Sequence, residues 1–195
     1  MKRLVSFLVL LCVALASAAE VVIPDAQGVG SGACSDPDTV WYINGIGGTW
    51  LAVGQPNILN RRDRVVFRFP IIKYMPQCKV KKATLRFDYT AAGEQKRDNL
   101  IEVEHFTAER IFISGKDLNS PFTDSVAQFK VTVNDAHNSK VEFDVTDKVN
   151  ADLAKGFEFC AFRVRSITAD KEGNSERKSS FITVENKSMR LTIEE

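Results

Sequence analysis

Apolar and polar residues take turns along this chain in short runs, and clusters of Gly, Pro, Asn, Asp and Ser separate one run from the next. Between Arg64 and Phe69, Val65, Phe67 and Phe69 fall on one side while Arg64, Val66 and Arg68 fall on the other. Ala83, Leu85, Phe87 and Tyr89 form a second set, opposed by Thr84, Arg86 and Asp88. Ile101/Val103/His105, Phe129/Val131/Val133, Val141/Phe143/Val145 and Met189/Leu191/Ile193 repeat the pattern. Successive side chains of an extended strand project to opposite faces, so each set marks one side of a pleated strand. About ten strands spaced in this way, with turn residues between them, predict an all-β sandwich or barrel.

Thirteen Phe against two Trp and three Tyr suit the interior of two packed sheets, where side chains must fill a layer about 10 Å thick. The segment 156–166 is apolar on both faces at its start, with Phe157, Phe159 and Ala161 alternating with Cys160, Phe162 and Val164. It is expected to be a central strand covered on both sides, turning polar at Arg163 and Arg165. One short helix is expected from Thr146 to Lys155, capped by Thr146 or Asp147 and ended by Gly156 in a left-handed conformation. Residues 93–99, 114–125, 134–139 and 169–180 are expected to be turns or loops. No internal repeat or interdomain linker divides the chain, which points to one domain.

Lys2 and Arg3 precede the apolar stretch Val5 to Ala16, broken only by Ser6, and the small residues Ser17, Ala18 and Ala19 follow. This is the pattern of a secretory signal peptide over residues 1–19, leaving 20–195 as a single exported domain, secreted, periplasmic or cell-surface. The stretch is too short for a stable anchor, which needs about 20 apolar residues, so no membrane insertion is expected after cleavage. Removing Lys2 and Arg3 takes the chain from 26 basic residues to 24, against 25 acidic ones. A balance so close to neutral argues against nucleic acid or a membrane surface as partner. The exported part keeps Cys34, Cys78 and Cys160, an odd number that cannot all pair. Cys160, in an apolar segment, is expected to be a small buried hydrophobe; if a pair forms, Cys34 with Cys78 is the better choice.

Chemistry at neutral pH calls for a positioned base, a nucleophile or a metal. His105 lies on the apolar face of its strand and is expected to be a hydrogen-bonded core or rim residue, while His137 lies in a turn. No G-x-S-x-G elbow, H-E-x-x-H, paired C-x-x-C or phosphate-binding glycine loop occurs. Glu102 and Glu104 are expected to form the wet face of a strand. No cofactor is called for, although Asp36 and Asp38, or Asp117 and Asn119, supply oxygens of the kind a structural calcium takes. One stretch concentrates recognition chemistry. Trp41, Tyr42, Trp50, Arg61, Arg62 and Arg64 fall within 24 residues. Aromatic faces can stack on sugar C–H groups and guanidinium forks can hold carboxylates. The simpler account is that Trp41 and Trp50 are core aromatics of adjacent strands and that Arg61, Arg62 and Arg64 solvate a turn.

Four phrases in order carry a family resemblance: Leu51-Ala-Val-Gly54 with Arg64-Val-Val-Phe-Arg-Phe69, then Val80-Lys-Lys-Ala-Thr-Leu-Arg86, then Phe143-Asp-Val-Thr-Asp-Lys-Val149, then the closing pair Ser180–Glu185 and Arg190–Ile193. In these the chain resembles the DNRLRE-domain proteins, a group related to carbohydrate-binding module family 96. The resemblance covers nearly the whole exported part, although the Trp-Asn-x-x-Pro phrase of many relatives is replaced here by a region holding Pro121 and Phe122. It implies a jelly-roll β-sandwich of two antiparallel sheets with one short helix. It also implies export and a non-catalytic domain that binds polysaccharide, acidic chains included, or else a structural module meeting cell-surface proteins.

Overall fold

The computed structural model describes residues 20–23, 27–34, 41–46, 50–55, 62–71, 79–93, 98–107, 117–118, 124–132, 139–172 and 180–194. Expectations for residues 1–19, for Arg61, for Cys78 and for His137 lie outside this set. Among the described residues the alternating runs become twelve strands: β1 (Glu20–Ile23), β2 (Gln27–Cys34), β3 (Trp41–Ile46), β4 (Trp50–Gln55), β5 (Arg62–Pro70), β6 (Lys82–Gly93), β7 (Asp98–Phe106), β8 (Asp124–Thr132), β9 (Ser139–Asp144), β10 (Phe159–Ser166), β11 (Ser180–Glu185) and β12 (Arg190–Glu194). Helix α1 (Thr146–Ala154) precedes β10, and a second short helix, α2 (Ile167–Glu172), follows it.

Every strand pair is antiparallel. One layer runs β3-β2-β5-β10-β7-β8. The other is organised around the long strand β6, which holds β9 along one edge and shares its other edge between β12 and β11, with β1 beyond β12 and β4 beyond β11. A single bridge, Gly54 opposite Asp63, joins β4 to β5 and continues the hydrogen bonding from one layer into the other. Gly54 has φ of 116°, a conformation that side chains with a Cβ rarely adopt. The result is the expected jelly-roll sandwich: strands whose apolar faces cannot all be covered by neighbours in one plane curl until the faces meet.

Val65, Phe67 and Phe69 of β5, Phe162 and Val164 of β10, and Ile101 and Val103 of β7 meet Leu85 and Phe87 of β6, Ile182 and Val184 of β11, and Leu191 and Ile193 of β12, all at 0% exposure. Phe67 is the hub, with ring centroids 5.8 Å from Phe69, 5.9 Å from Phe162 and, across the layers, 6.3 Å from Phe87. Full burial of each such side chain contributes about 1.5–3 kcal/mol. Phe129 and Phe143, half-buried, extend the cluster towards one rim.

The central-strand expectation holds: β10 lies between β5 and β7 and is buried along both faces apart from half-buried Arg165. Helix α1 follows the expected bounds, and Gly156 ends it at φ 74°. Its cap differs, because the Asp144 carboxylate accepts from both the backbone N–H and the hydroxyl of Thr146, at 2.9 and 2.6 Å. An Asx-type turn two residues earlier thus replaces a cap by Thr146 or Asp147. The loop expected over 169–180 begins instead as the last residues of α2.

Candidate functional site

Glu102 and Glu104 were expected to form the wet face of β7, on the outer side of the β5-β10-β7 layer. That side is polar and buried. Arg163 stands opposite Glu104, and Arg165 opposite Glu102, in the β10–β7 register, so pleat and pairing set two cation–anion pairs side by side. Arg163 Nε donates to Glu104 Oε2 at 2.6 Å, and Arg165 Nε and Nη2 donate to Glu102 Oε2 at 3.0 and 2.6 Å. Arg165 Nε also lies 2.9 Å from the second oxygen of Glu104. From β8, Ser125 and Gln128 donate to Glu102 at 2.8 and 3.0 Å.

A second tier closes over the first. Asp170 of α2 accepts from Arg64 at 3.0 Å and from Arg165 at 3.1 Å, with Arg62 3.7 Å away. Asp117 pairs with Arg68 at 2.9 Å, and the Leu118 carbonyl accepts from Arg64 and Arg163 at 2.9 and 3.0 Å. Helix α2 is pinned where it starts, with Ser166 Oγ accepting from Ala169 N–H and Thr168 Oγ1 from Leu100 N–H, each at 2.9 Å. Glu102 and Glu104, expected on a wet face, are 3% and 0% exposed. The correction has a physical reason: α2 and the Asp117–Leu118 segment bring anions and carbonyls onto this face, so its charges are enclosed in matched company. The arginines are held by many partners at once, which suits a rigid scaffold.

Burial works against the charged form of Glu102, but hydrogen bonds from Gln128, Ser125 and Arg165 outweigh it and hold the carboxyl below its ordinary range. The unfolded value lies near 4.3. Because the folded value is lower, the stability Glu102 supplies is complete above about pH 5 and is lost as pH falls through the folded value. Urea unfolding is therefore expected to show a midpoint that drops steeply below about pH 4, and a shallower drop in Glu102→Gln. Identical pH slopes for the two proteins would contradict this.

A separate polar cluster sits inside the apolar layer. His105 of β7 is 3% exposed and donates from Nε2 to Asp152 Oδ2 of α1 at 2.8 Å, with Phe162 against its ring at 5.8 Å. Cys160 of β10 is fully buried beside them. Burial first, and then Asp152, push its thiol well above the ordinary value. A thiol so placed is held neutral and is no nucleophile. The expectations of a hydrogen-bonded core histidine and a buried small cysteine both hold.

The residues singled out in the sequence fall in several places. Trp41 and Tyr42 begin β3; Trp41 pairs with Cys34 of β2, which pairs in turn with Arg62, so the two are level across three strands. Trp50 begins β4 in the other layer, opposite Glu185. Arg62 and Arg64 are 4% and 8% exposed, gathered at Asp170. Of the calcium candidates, Asp117 has its carboxylate on Arg68, and residues 35–38 lie outside the described set. The Arg/Glu array was missed because each strand alone shows ordinary alternation. Its signal was the complementary i, i+2 spacing of Glu102/Glu104 and Arg163/Arg165. Nothing in the polar run 169–180 marks Asp170.

No protein-family model matches the chain, that of the DNRLRE-domain family included, and no curated protein sequence matches it. Among solved structures, one described as "CBM4 structure and function" is 12% identical with a TM-score of 0.38, covering 89% of this chain and 95% of the other. The K1 cleaved adhesin domain of Lys-gingipain from Porphyromonas gingivalis W83 is 11% identical at a TM-score of 0.34, covering 91% and 98%. A family 30 carbohydrate binding module is 13% identical at 0.31, covering 91% and 89%. At these scores the likeness remains a likeness, and the architecture rests on the strand pairing above. Among the described residues, no helix is long and apolar enough to cross a membrane.

Proposed function

We propose that this chain is a secreted, non-catalytic domain that binds polysaccharide, with acidic chains as the preferred class. One observation supports the reading: among the described residues β3 is the outer strand of its layer, paired with β2 alone, and it opens on Trp41-Tyr42. An outer strand leaves one edge to a partner, and aromatic rings suit the apolar faces of sugars. Trp50, which begins β4 in the other layer, and Arg61 are the further residues to test by substitution. Arg62 and Arg64 brace β5 through Asp170.

The exported chain, expected to start at Ala19 or Glu20, is run through affinity gels containing alginate, pectin or a neutral glucan. Alginate and pectin are expected to retard it, and Trp41→Ala to weaken binding about tenfold, about 1.4 kcal/mol, with the melting temperature unchanged. Retardation by none of the three overturns the reading and leaves binding to a cell-surface protein as the alternative. Retardation by the glucan alone overturns the preference for acidic chains.

A further inference from the structure

The His105, Asp152 and Cys160 side chains bring a nitrogen, a carboxylate oxygen and a sulfur within 4.8 Å of one another in the sandwich interior. The three come from different elements, β7, α1 and β10, so the fold rather than local sequence assembles them. All three residues are buried, at 3%, 2% and 0% exposure. His105 Nε2 faces Asp152 Oδ2 at 2.8 Å and is the ring nitrogen this cluster offers to an ion. We propose that this cluster is a structural site for a borderline-soft divalent transition ion, with zinc the principal occupant.

Ligand type and charge both favour such an ion. A nitrogen, an oxygen and a thiolate sulfur together match zinc and its neighbours, whereas calcium and magnesium take oxygen alone. A divalent ion that displaces the proton of the Cys160 thiol is met by a thiolate and a carboxylate, two negative charges against its two positive ones, with imidazole as the uncharged third ligand. The exchange leaves no net charge in an apolar interior, where an uncompensated charge is expensive. Metal–ligand bonds of about 2.0–2.3 Å place ligand atoms about 3.4–3.8 Å apart, so the three groups need shift by about 1 Å. Because all three residues are buried and Phe162 lies against the His105 ring, the ion enters as the chain folds.

The test is to refold the full exported chain from urea under reducing conditions with Co2+ as the spectroscopic probe, or with Zn2+. One ion per chain is expected to be retained after gel filtration, with a thiolate-to-cobalt charge-transfer band in the near ultraviolet. Zn2+ at about 100 times its Kd is expected to raise the melting temperature by about 5–10 °C. Cys160→Ala is expected to fold, since alanine is a small apolar side chain that fits where the buried thiol stood, and to lose both the band and the shift. If that variant fails to fold, His105→Gln takes its place with the same readouts. No retained ion and no band in the unaltered chain overturns the proposal. A band that survives Cys160→Ala traces to Cys34 or Cys78, and a thermal shift that survives it traces to exposed carboxylates; either result overturns the assignment.

Discussion

Glu104→Ala is expected to lower the stability of this domain by about 3–5 kcal/mol, the range for removing one partner of an enclosed ion pair. Glu104 is 0% exposed and Arg163 2%, and the two meet at 2.6 Å. Alanine would leave Arg163 beneath the Asp117–Leu118 segment without its carboxylate, and would also take an anion from Arg165. Against a total stability of about 5–15 kcal/mol the loss is large, and it corresponds to a fall in melting temperature of about 6–20 °C. The cost belongs to the orphaned charge and not to the pair as such. Glu104→Leu combined with Arg163→Met should therefore recover most of it, because Arg165 keeps Glu102 and Asp170 as partners. Urea denaturation of Glu104→Ala and of the Glu104→Leu/Arg163→Met double variant checks this. A Glu104→Ala protein within about 1 kcal/mol of the parent would mean that the β10–β7 face is solvated after all.

Phe67→Ala is expected to cost a similar amount, about 3–5 kcal/mol, for a different reason. Phe67 is fully buried and touches rings in its own strand, in β10 and in the opposite layer. Alanine there removes the contact that crosses between layers and leaves a cavity between two hydrogen-bonded sheets, which cannot easily close. Phe129→Ala should cost less, about half as much, because Phe129 is only partly buried and its neighbours can relax towards solvent. Calorimetry on both variants gives the comparison, and equal losses would show that the interior is not centred on β5.

Much of the architecture is legible in the residues. The inward faces of β5, β6, β7 and β12 follow the alternation residue by residue, and β10 was marked as central by apolar side chains on both of its faces. Helix α1 and its glycine stop were legible because they depend on contacts within a few residues. What failed did so for one reason. Glu102, Glu104, Arg62 and Arg64 look like solvated positions when only their own strand is considered, and a polar residue on an outward face is usually wet.

The candidate sites divide along the same line. His105 could be recognised as a core histidine from its place among Ile101 and Val103, but its meeting with Asp152 and Cys160 depends on how α1 and β10 pack against β7. The aromatic pair Trp41-Tyr42 stood out by composition, and its position on an outer strand came from the pairing of β3 with β2.

Alternation by itself determined that this chain forms strands and which faces turn inward, because side-chain direction in an extended backbone is a property of neighbouring residues. Tertiary structure alone decided that the outer face of one layer is enclosed. The groups that cover it, Leu118 and Asp170, lie 54 and 106 residues from the Arg64 they engage. No local pattern encodes such a meeting: whether a charge faces water or a partner depends on what the rest of the chain brings over it.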